Sequence, residues 1–378
     1  MAHPVFIAGA SLASALKDPA DIYSGEQHLL ALDVLEQAVD IPFLAIKGHP
    51  LDDASRMQAI TRQVLDEAID EAGWRQAELD DCAVFIGSTS FSLYDTELLY
   101  QEVLDQNLGE SPLTVTSYTM LPDYIQQHFT PRAQFFTYNT ACTSSGNALL
   151  YAGKMIRSGR IRHAIVVGME FFNQTTLLGF HALGLISKSA HMQPFGINRD
   201  GLALGEGCSA VLLSADKPAN GSHWQLSGGA TLGDTHSMTA ANPDGSSIER
   251  VIRQALKNAA VDADAIRAVK LHGTASLAND DVEYLGLERV YSDRIPPACV
   301  LKPAIGHTLG ACGSNELVIL MRYLQQGFLP GLARPYPLDD NLPVGISAEN
   351  RAMQPGHFLL NFFGFGGNNT TLIISNLP

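Results

Sequence analysis

The chain has 378 residues, 46% of them hydrophobic and 17% charged, which gives material for a large core and excludes a disordered chain or a coiled coil. Its 24 Lys and Arg face 39 Asp and Glu, a net charge of −15 that makes nucleic acid an improbable partner outside a local basic patch. No run approaches the ~18 apolar residues of a membrane helix, Met1-Ala2-His3-Pro4 has no basic stretch ahead of an apolar one, and five scattered cysteines form no C-x-x-C pair. The sequence therefore reads as a soluble, cytoplasmic protein with neither a zinc site nor a disulfide framework.

Short β-rich runs alternate with longer helical patterns along the whole chain, the signature of α/β layers around buried sheets. Pro4 to Gly9 reads as the first strand. Arg56 to Ala72 reads as an amphipathic helix with Met57, Ile60, Val64 and Ala68 on one face and Gly73 as its C-cap. The strands Ala83 to Gly87 and Gln134 to Tyr138 follow, then a helix from Asn147 to Arg157 and the strands Ala164 to Gly168 and Ser209 to Leu213. The order then begins again, with a strand at Trp224 to Leu232, a helix at Ser247 to Ala260, a strand at Ala265 to Leu271 and a helix at Asp281 to Tyr291. Ala298 to Leu301, a helix from Asn315 to Gln326 and the strands Phe358 to Phe363 and Thr370 to Ser375 complete it. Two halves of similar order, 1–216 and 223–378, imply a duplication with the turn-rich Asp216 to Ser222 as the joint.

Cys142 falls between the strand ending at Tyr138 and the helix that follows, among the small residues Thr140, Ala141, Thr143, Ser144 and Ser145. A thiol at a helix N-terminus meets the positive end of the dipole and unpaired N–H groups, which favour thiolate and nucleophilic attack. The alternative is a buried packing cysteine. His272 and His307 both follow apolar strand runs, Ile266 to Leu271 and Val300 to Ala304, at the strand ends where α/β proteins put ligands. An imidazole pair can give two N–H donors to one carbonyl oxygen as it becomes an enolate, the electrostatics of a decarboxylation. Lys302, Asp280 and Glu283 are close enough in sequence to orient these rings, unless they belong to a solvated surface. Gly364 to Asn369 reads as a hairpin loop whose glycines allow close backbone approach and leave Phe365 able to swing.

The same residues stand in a longer series of blocks: Asn139 to Ser145; Pro194-Phe195 with Arg199-Asp200-Gly201 and Gly205-Glu206-Gly207; Asp234-Thr235-His236 with Pro243-Asp244-Gly245. The second half adds His272-Gly273-Thr274, Asn279-Asp280, Glu283, Lys302, Gly306 to Ala311, Glu316 and Asn361 to Asn368. In these blocks, and over nearly its whole length, the chain resembles the elongating, Cys-His-His β-ketoacyl-acyl-carrier-protein synthases of the thiolase-like superfamily. The chain-initiating branch resembles Cys-His-Asn and the thiolases Cys-His-Cys, and this chain follows neither.

The resemblance implies a thiolase-like fold, two pseudo-duplicated α/β halves layered αβαβα, and a decarboxylative Claisen condensation of an acyl-enzyme with malonyl carrier protein. It implies that Cys142 takes the acyl chain, that the N–H groups of Cys142 and Phe365 form an oxyanion hole, and that His272 and His307 polarise the malonyl thioester. It further implies that Lys302 is bonded through Glu283 and the His272 region, that Glu316 supports the site, that Thr274 and Ser276 contact the pantetheine arm, and that Phe365 is a gate. The expected partner is an acyl carrier protein, met at a patch drawn from Arg56, Arg62, Arg132, Lys154, Arg157, Arg160 and Arg162, and no metal or redox cofactor is called for. Departures from the usual pattern are Gly196, Ala275, Phe362 and a short stretch from Ser88 to Asp123, which points to specialised polyene or polyketide pathways. Other readings are a non-condensing partner subunit of a heterodimeric synthase, which usually lacks the cysteine, and a coenzyme-A-dependent thiolase. For the latter Cys312 is the nearest second cysteine, expected instead to be packing. A dimer, homo or hetero, is expected across the strand Gln134 to Tyr138.

Overall fold

Ten strands form one continuous mixed sheet in this computed structural model, which describes residues 3–34, 37–53, 55–106, 120–129, 133–189, 191–292 and 294–377. From the centre outward, the first half contributes Phe6–Ala13, Gly207–Ser214, His163–Glu170, Cys82–Gly87 and Gln134–Tyr138. The second half contributes Gln225–Gly233, Asn368–Ser375, His357–Gly364, Ile266–Lys270 and Ala298–Cys299. Numbered by chain order within each half, both run first, fifth, fourth, second, third. The two sets meet where Phe6 pairs with Gln225, antiparallel. Long apolar runs such as His163–Glu170 and Gly207–Ser214 are buried at every residue, as strands covered on both faces must be.

Helices cover both faces and fill the middle. Ser144–Arg157 and Cys312–Gln325 pack on one another and on strands of both halves, forming the inner layer. Arg56–Ala72 lies on the outer side of the first half, and Ser246–Ala259 with Leu277–Tyr291 on the second, which completes the αβαβα order of a thiolase-like fold. The inner helices touch closely, since a Cβ on Gly313 would run into the backbone of Gly146. Leu149, Leu150 and Ile156 from one and Leu317, Ile319 and Leu324 from the other join a single core cluster.

The strands and helices read from periodicity lie where expected, with one informative difference. The run from Val300 is not a strand up to Ala304; the strand is Ala298–Cys299, and Lys302–Ile305 is a helical turn with Pro303 in its first positions. Proline has the fixed φ of a helix start and no N–H for a ladder. His307 therefore follows a helical turn, whereas His272 follows the strand Ile266–Lys270.

Candidate active site

The nucleophile candidate is held in a strained turn. Between the strand Gln134–Tyr138 and the helix Ser144–Arg157 the chain passes through Ala141 at φ 51°, a left-handed conformation that a residue with a Cβ seldom adopts. Thr143 Oγ1 and Asn147 Nδ2 both donate to Asn368 Oδ1, at 2.8 and 3.0 Å, and so fasten the turn to the loop after Gly364. Cys142 is 7% exposed, and the backbone N–H groups of Cys142 and Phe365 lie near enough to its sulfur to favour the thiolate. The thiolate expected from the helix dipole is not the resting form. Burial pushes the thiol up to about 12, the Lys302 charge opposes this, Glu170 adds to it, and the two N–H groups pull only part of the way back.

Two imidazoles face this turn from the other half. The rings of His272 and His307 stand edge to face with centroids 5.5 Å apart, both fully buried, and both line the cavity that Cys142 lines. Burial, followed by the charge of Lys302, lowers both well below the ordinary histidine range, so each is neutral at physiological pH. Lys302 Nζ lies 3.3 Å from His272 Nδ1, 2.5 Å from the His272 carbonyl oxygen and 2.8 Å from Glu316 Oε1. An ammonium only donates, so His272 Nδ1 accepts and the ring proton is on Nε2.

This geometry corrects two expectations. Lys302 is held by Glu316, not through Glu283. Glu283 instead accepts the backbone N–H groups of His272 and Gly273 at 2.8 and 2.9 Å and the Asn361 amide at 3.2 Å, and burial raises it to about 7. Asp280 orients no imidazole either; it accepts the N–H groups of Phe195 and Thr274 and the Asn279 amide, and burial raises it to about 6. Both carboxyls act on the His272 to Ser276 loop, whose Ala275 sits at φ 60°.

Two residues of this network, Lys270 and Glu170, were not picked out from sequence, and two others, Asn361 and Cys312, were named without the contacts they make here. Lys270, two before His272, is fully buried, donates to Glu316 Oε2 at 2.6 Å and to the Asn361 carbonyl at 2.7 Å, and lies 3.7 Å from the Phe362 ring centroid. Burial lowers it; Glu316 holds it up and Lys302 lowers it further, so of the two lysines sharing one carboxylate Lys302 is the firmer cation. A lysine ending a strand that is otherwise apolar was the available signal. Glu170 accepts the N–H groups of Thr89, Ser90 and Gly310, joining two loops beside the site, and Asn361 caps Glu283. Cys312, expected to be packing, has its sulfur 3.1 Å from His307 Nδ1.

The cavity, about 210 Å³, is lined by Cys142, both histidines, Thr274, Ser276 and Phe365 among others. Thr274 Oγ1 and Ser276 Oγ are 3.1 Å apart, Ser276 also caps the helix Leu277–Tyr291, and Phe365 is partly exposed with its ring stacked 6.1 Å from Phe180. The basic residues available for a patch are divided among the described elements. Arg56 is buried in an ion pair with Glu206. Lys154 and Arg157 are near the C-terminal end of the helix Ser144–Arg157 and Arg160 and Arg162 just beyond it, about 20 Å along its axis from Cys142. Arg62 is exposed on Arg56–Ala72, and Arg132 lies outside the described residues.

A duplicated layered sheet with a cysteine at one inner helix and two neutral imidazoles opposite defines a class by its architecture, the thiolase-like fold. The chain belongs to the β-ketoacyl synthase family: residues 11–219 match its N-terminal domain and residues 225–334 its C-terminal domain. It is 26% identical over 327 residues to 3-oxoacyl-[acyl-carrier-protein] synthase 1 of Haemophilus influenzae, covering 81% of this chain and 79% of that one. It is 28% identical over 285 residues to the chloroplastic synthase II of Arabidopsis thaliana, covering 71% and 50%. The ketosynthase ApeO of Xenorhabdus doucetiae, solved with its chain length factor ApeC, shares the fold at a TM-score of 0.83 and 23% identity over 99% of this chain and 98% of that one. The chain spans between 13% and 79% of the length of the curated relatives it matches. Among the described residues no helix is long and apolar enough to cross a membrane.

Proposed function

We propose that the protein is a β-ketoacyl-acyl-carrier-protein synthase. The observation that carries this reading is the convergence on one cavity of a buried cysteine and two neutral imidazoles, with Phe365 on the same wall. In the first step Cys142 sulfur attacks the carbonyl of an acyl-carrier thioester, the C–S bond to pantetheine breaks, and the cysteine proton ends on the departing thiol. In the second, the bond from the malonyl α-carbon to its carboxylate breaks and CO₂ leaves. The electron pair moves into the thioester as an enolate, whose oxygen takes N–H donation from His272 and His307. The enolate carbon then bonds to the acyl carbonyl, whose oxyanion is held by the N–H groups of Cys142 and Phe365, and the C–S bond to Cys142 breaks, the sulfur leaving as thiolate and taking one proton from solvent to return to the resting thiol.

The partners of this reaction are an acyl carrier protein, whose phosphopantetheine arm reaches past Phe365 to Thr274 and Ser276, and a second synthase-like subunit. The ApeO–ApeC complex supports a heterodimer as one form of that assembly. The chemistry asks for thiol, imidazole and the substrate's own arm, with no metal or redox cofactor. A non-condensing subunit is disfavoured, because such a subunit has no use for the nucleophile, the rings and the N–H pair together. Mass spectrometry after incubation with a panel of acyl carrier proteins tests the proposal: an acyl mass on Cys142 and CO₂ release from malonyl carrier protein are expected, and the absence of both overturns it.

A further inference from the structure

Each half opens its inner helix with the same pattern, Ala141-Cys142-Thr143-Ser144 in the first and Ala311-Cys312-Gly313-Ser314 in the second. The first cysteine faces the cavity; the second is fully buried with its sulfur 3.1 Å from His307 Nδ1. The surrounding hydrogen bonds have one direction. Asn315 Nδ2 donates to Thr308 Oγ1 at 3.3 Å, and the Thr308 hydroxyl donates to Cys312 sulfur at 3.8 Å. A sulfur that accepts from Thr308 has its own proton left for the imidazole. Burial pushes the Cys312 thiol far above its ordinary value, with the Lys302 charge only partly opposing, so that proton stays on.

We propose that Cys312 is a positioning residue: its S–H donates to His307 Nδ1 and thereby keeps the ring proton of His307 on Nε2, the nitrogen turned away from Cys312. His272 receives the equivalent donation from Lys302 Nζ, 3.3 Å from its Nδ1. The two rings are thus set in the same tautomer by unlike donors, an ammonium for one and a thiol for the other. Both Nε2–H groups are then ready for a single oxygen without a proton moving during the reaction, which is what preorganised stabilisation of an enolate requires. The role given to that oxygen rests on the condensing reading; the tautomer assignment rests on the hydrogen bonds around Cys312 and on a buried thiol that keeps its proton. A thiol serves better here than a further cation, since Lys302 and Lys270 already charge the pocket and both lower His307.

The test uses the full chain labelled with ¹⁵N in its imidazole nitrogens, with the His307 resonances assigned by their loss in His307→Ala. The native protein is expected to show His307 as the Nε2–H tautomer. Cys312→Ala should shift it toward a mixture and Cys312→Ser, which keeps an X–H donor, should restore it. In parallel, malonyl-carrier-protein decarboxylation by Cys312→Ala should fall about fivefold in kcat, the size of one net hydrogen bond, with KM unchanged and recovery in Cys312→Ser. Unaltered His307 signals in Cys312→Ala, or equal losses in both variants with the tautomer unchanged, overturn the proposal in favour of packing. A native protein that neither loads nor decarboxylates overturns the condensing reading instead, and the imidazole spectra then decide the role of Cys312 by themselves.

Discussion

Cys142 is pulled two ways, by a helix N-terminus that favours thiolate and by a dry cavity wall that favours thiol, and burial is the stronger. With the thiol raised to about 12, the thiolate fraction grows tenfold per pH unit across the whole accessible range. Alkylation of Cys142 by iodoacetamide, followed by peptide mass, should therefore climb from pH 7 to pH 10 without levelling, whereas an ordinary thiol levels near its pKa of about 8.5. A plateau below pH 9 would show that Lys302 and the two N–H groups outweigh burial. Cys142→Ala should take up no acyl mass while keeping its fold, and an acyl adduct on that variant would mean another nucleophile. The imidazoles are tested separately: His307→Ala should slow malonyl decarboxylation by ~10² while Cys142 still loads, since one oxyanion donor is worth ~3 kcal/mol in the transition state. Undiminished CO₂ release would remove His307 from the mechanism. The losses from His272 and His307 will not add, because the two donors serve one oxygen.

The helix Leu277–Tyr291 places its first two turns under the His272 loop, and Asp280 and Glu283 receive four backbone N–H groups between them. Asp280→Asn would turn an amide NH₂ toward N–H groups that need an acceptor, with a cost of about 1 to 3 kcal/mol seen as a lower urea midpoint. The pH dependence has a definite sign. Burial raises Asp280 from 3.8 to about 6, so the stability tied to this carboxyl is fully present below 3.8 and is lost as pH climbs through 6, by roughly 3 kcal/mol. Asparagine has no such loss, so the deficit of Asp280→Asn should narrow between pH 4 and pH 6.5; a deficit that widens would place Asp280 below its ordinary value. Much of this element level was legible in the sequence. Periodicity marked the strands and helices because burial on one or both faces imposes it, and the block motifs marked Cys142, His272 and His307. What periodicity cannot carry is pairing across the chain. Glu316 was named but its two lysines were not assigned to it, because Lys270 is remote from it in sequence; Lys270 does end its strand and Cys312 does join the core, and what periodicity could not show was the polar contact each makes there.

On the scale of the whole molecule the two halves are the same arrangement carrying different side chains, Cys142 in one and His272 and His307 in the other, with the inner helices packed between them. Among the described residues the arrangement leaves the strand Gln134–Tyr138 at one end of the sheet, paired on a single side with Cys82–Gly87. Phe135 packs toward one core cluster, Phe136 and Tyr138 toward another, and all three remain partly exposed, so the strand is apolar on both faces and open at its edge. Such an edge invites a second chain, and the next residues lead directly to Cys142. The expected outcome is a dimer in which the two outer strands meet across a two-fold axis and the geometry of the nucleophile depends on the contact. Phe136→Asp should give inactive monomer or aggregate. Because Phe136 also stacks on Phe85 at 4.9 Å and its loss affects the core, the exposed Thr137→Lys serves as the milder variant, expected to weaken association while preserving the fold. Light scattering at micromolar concentration decides the matter. A stable, active monomer of 40.7 kDa sinks the proposal, and a dimer that forms only with a co-expressed sister chain places this protein with the ketosynthases that work beside a chain length factor.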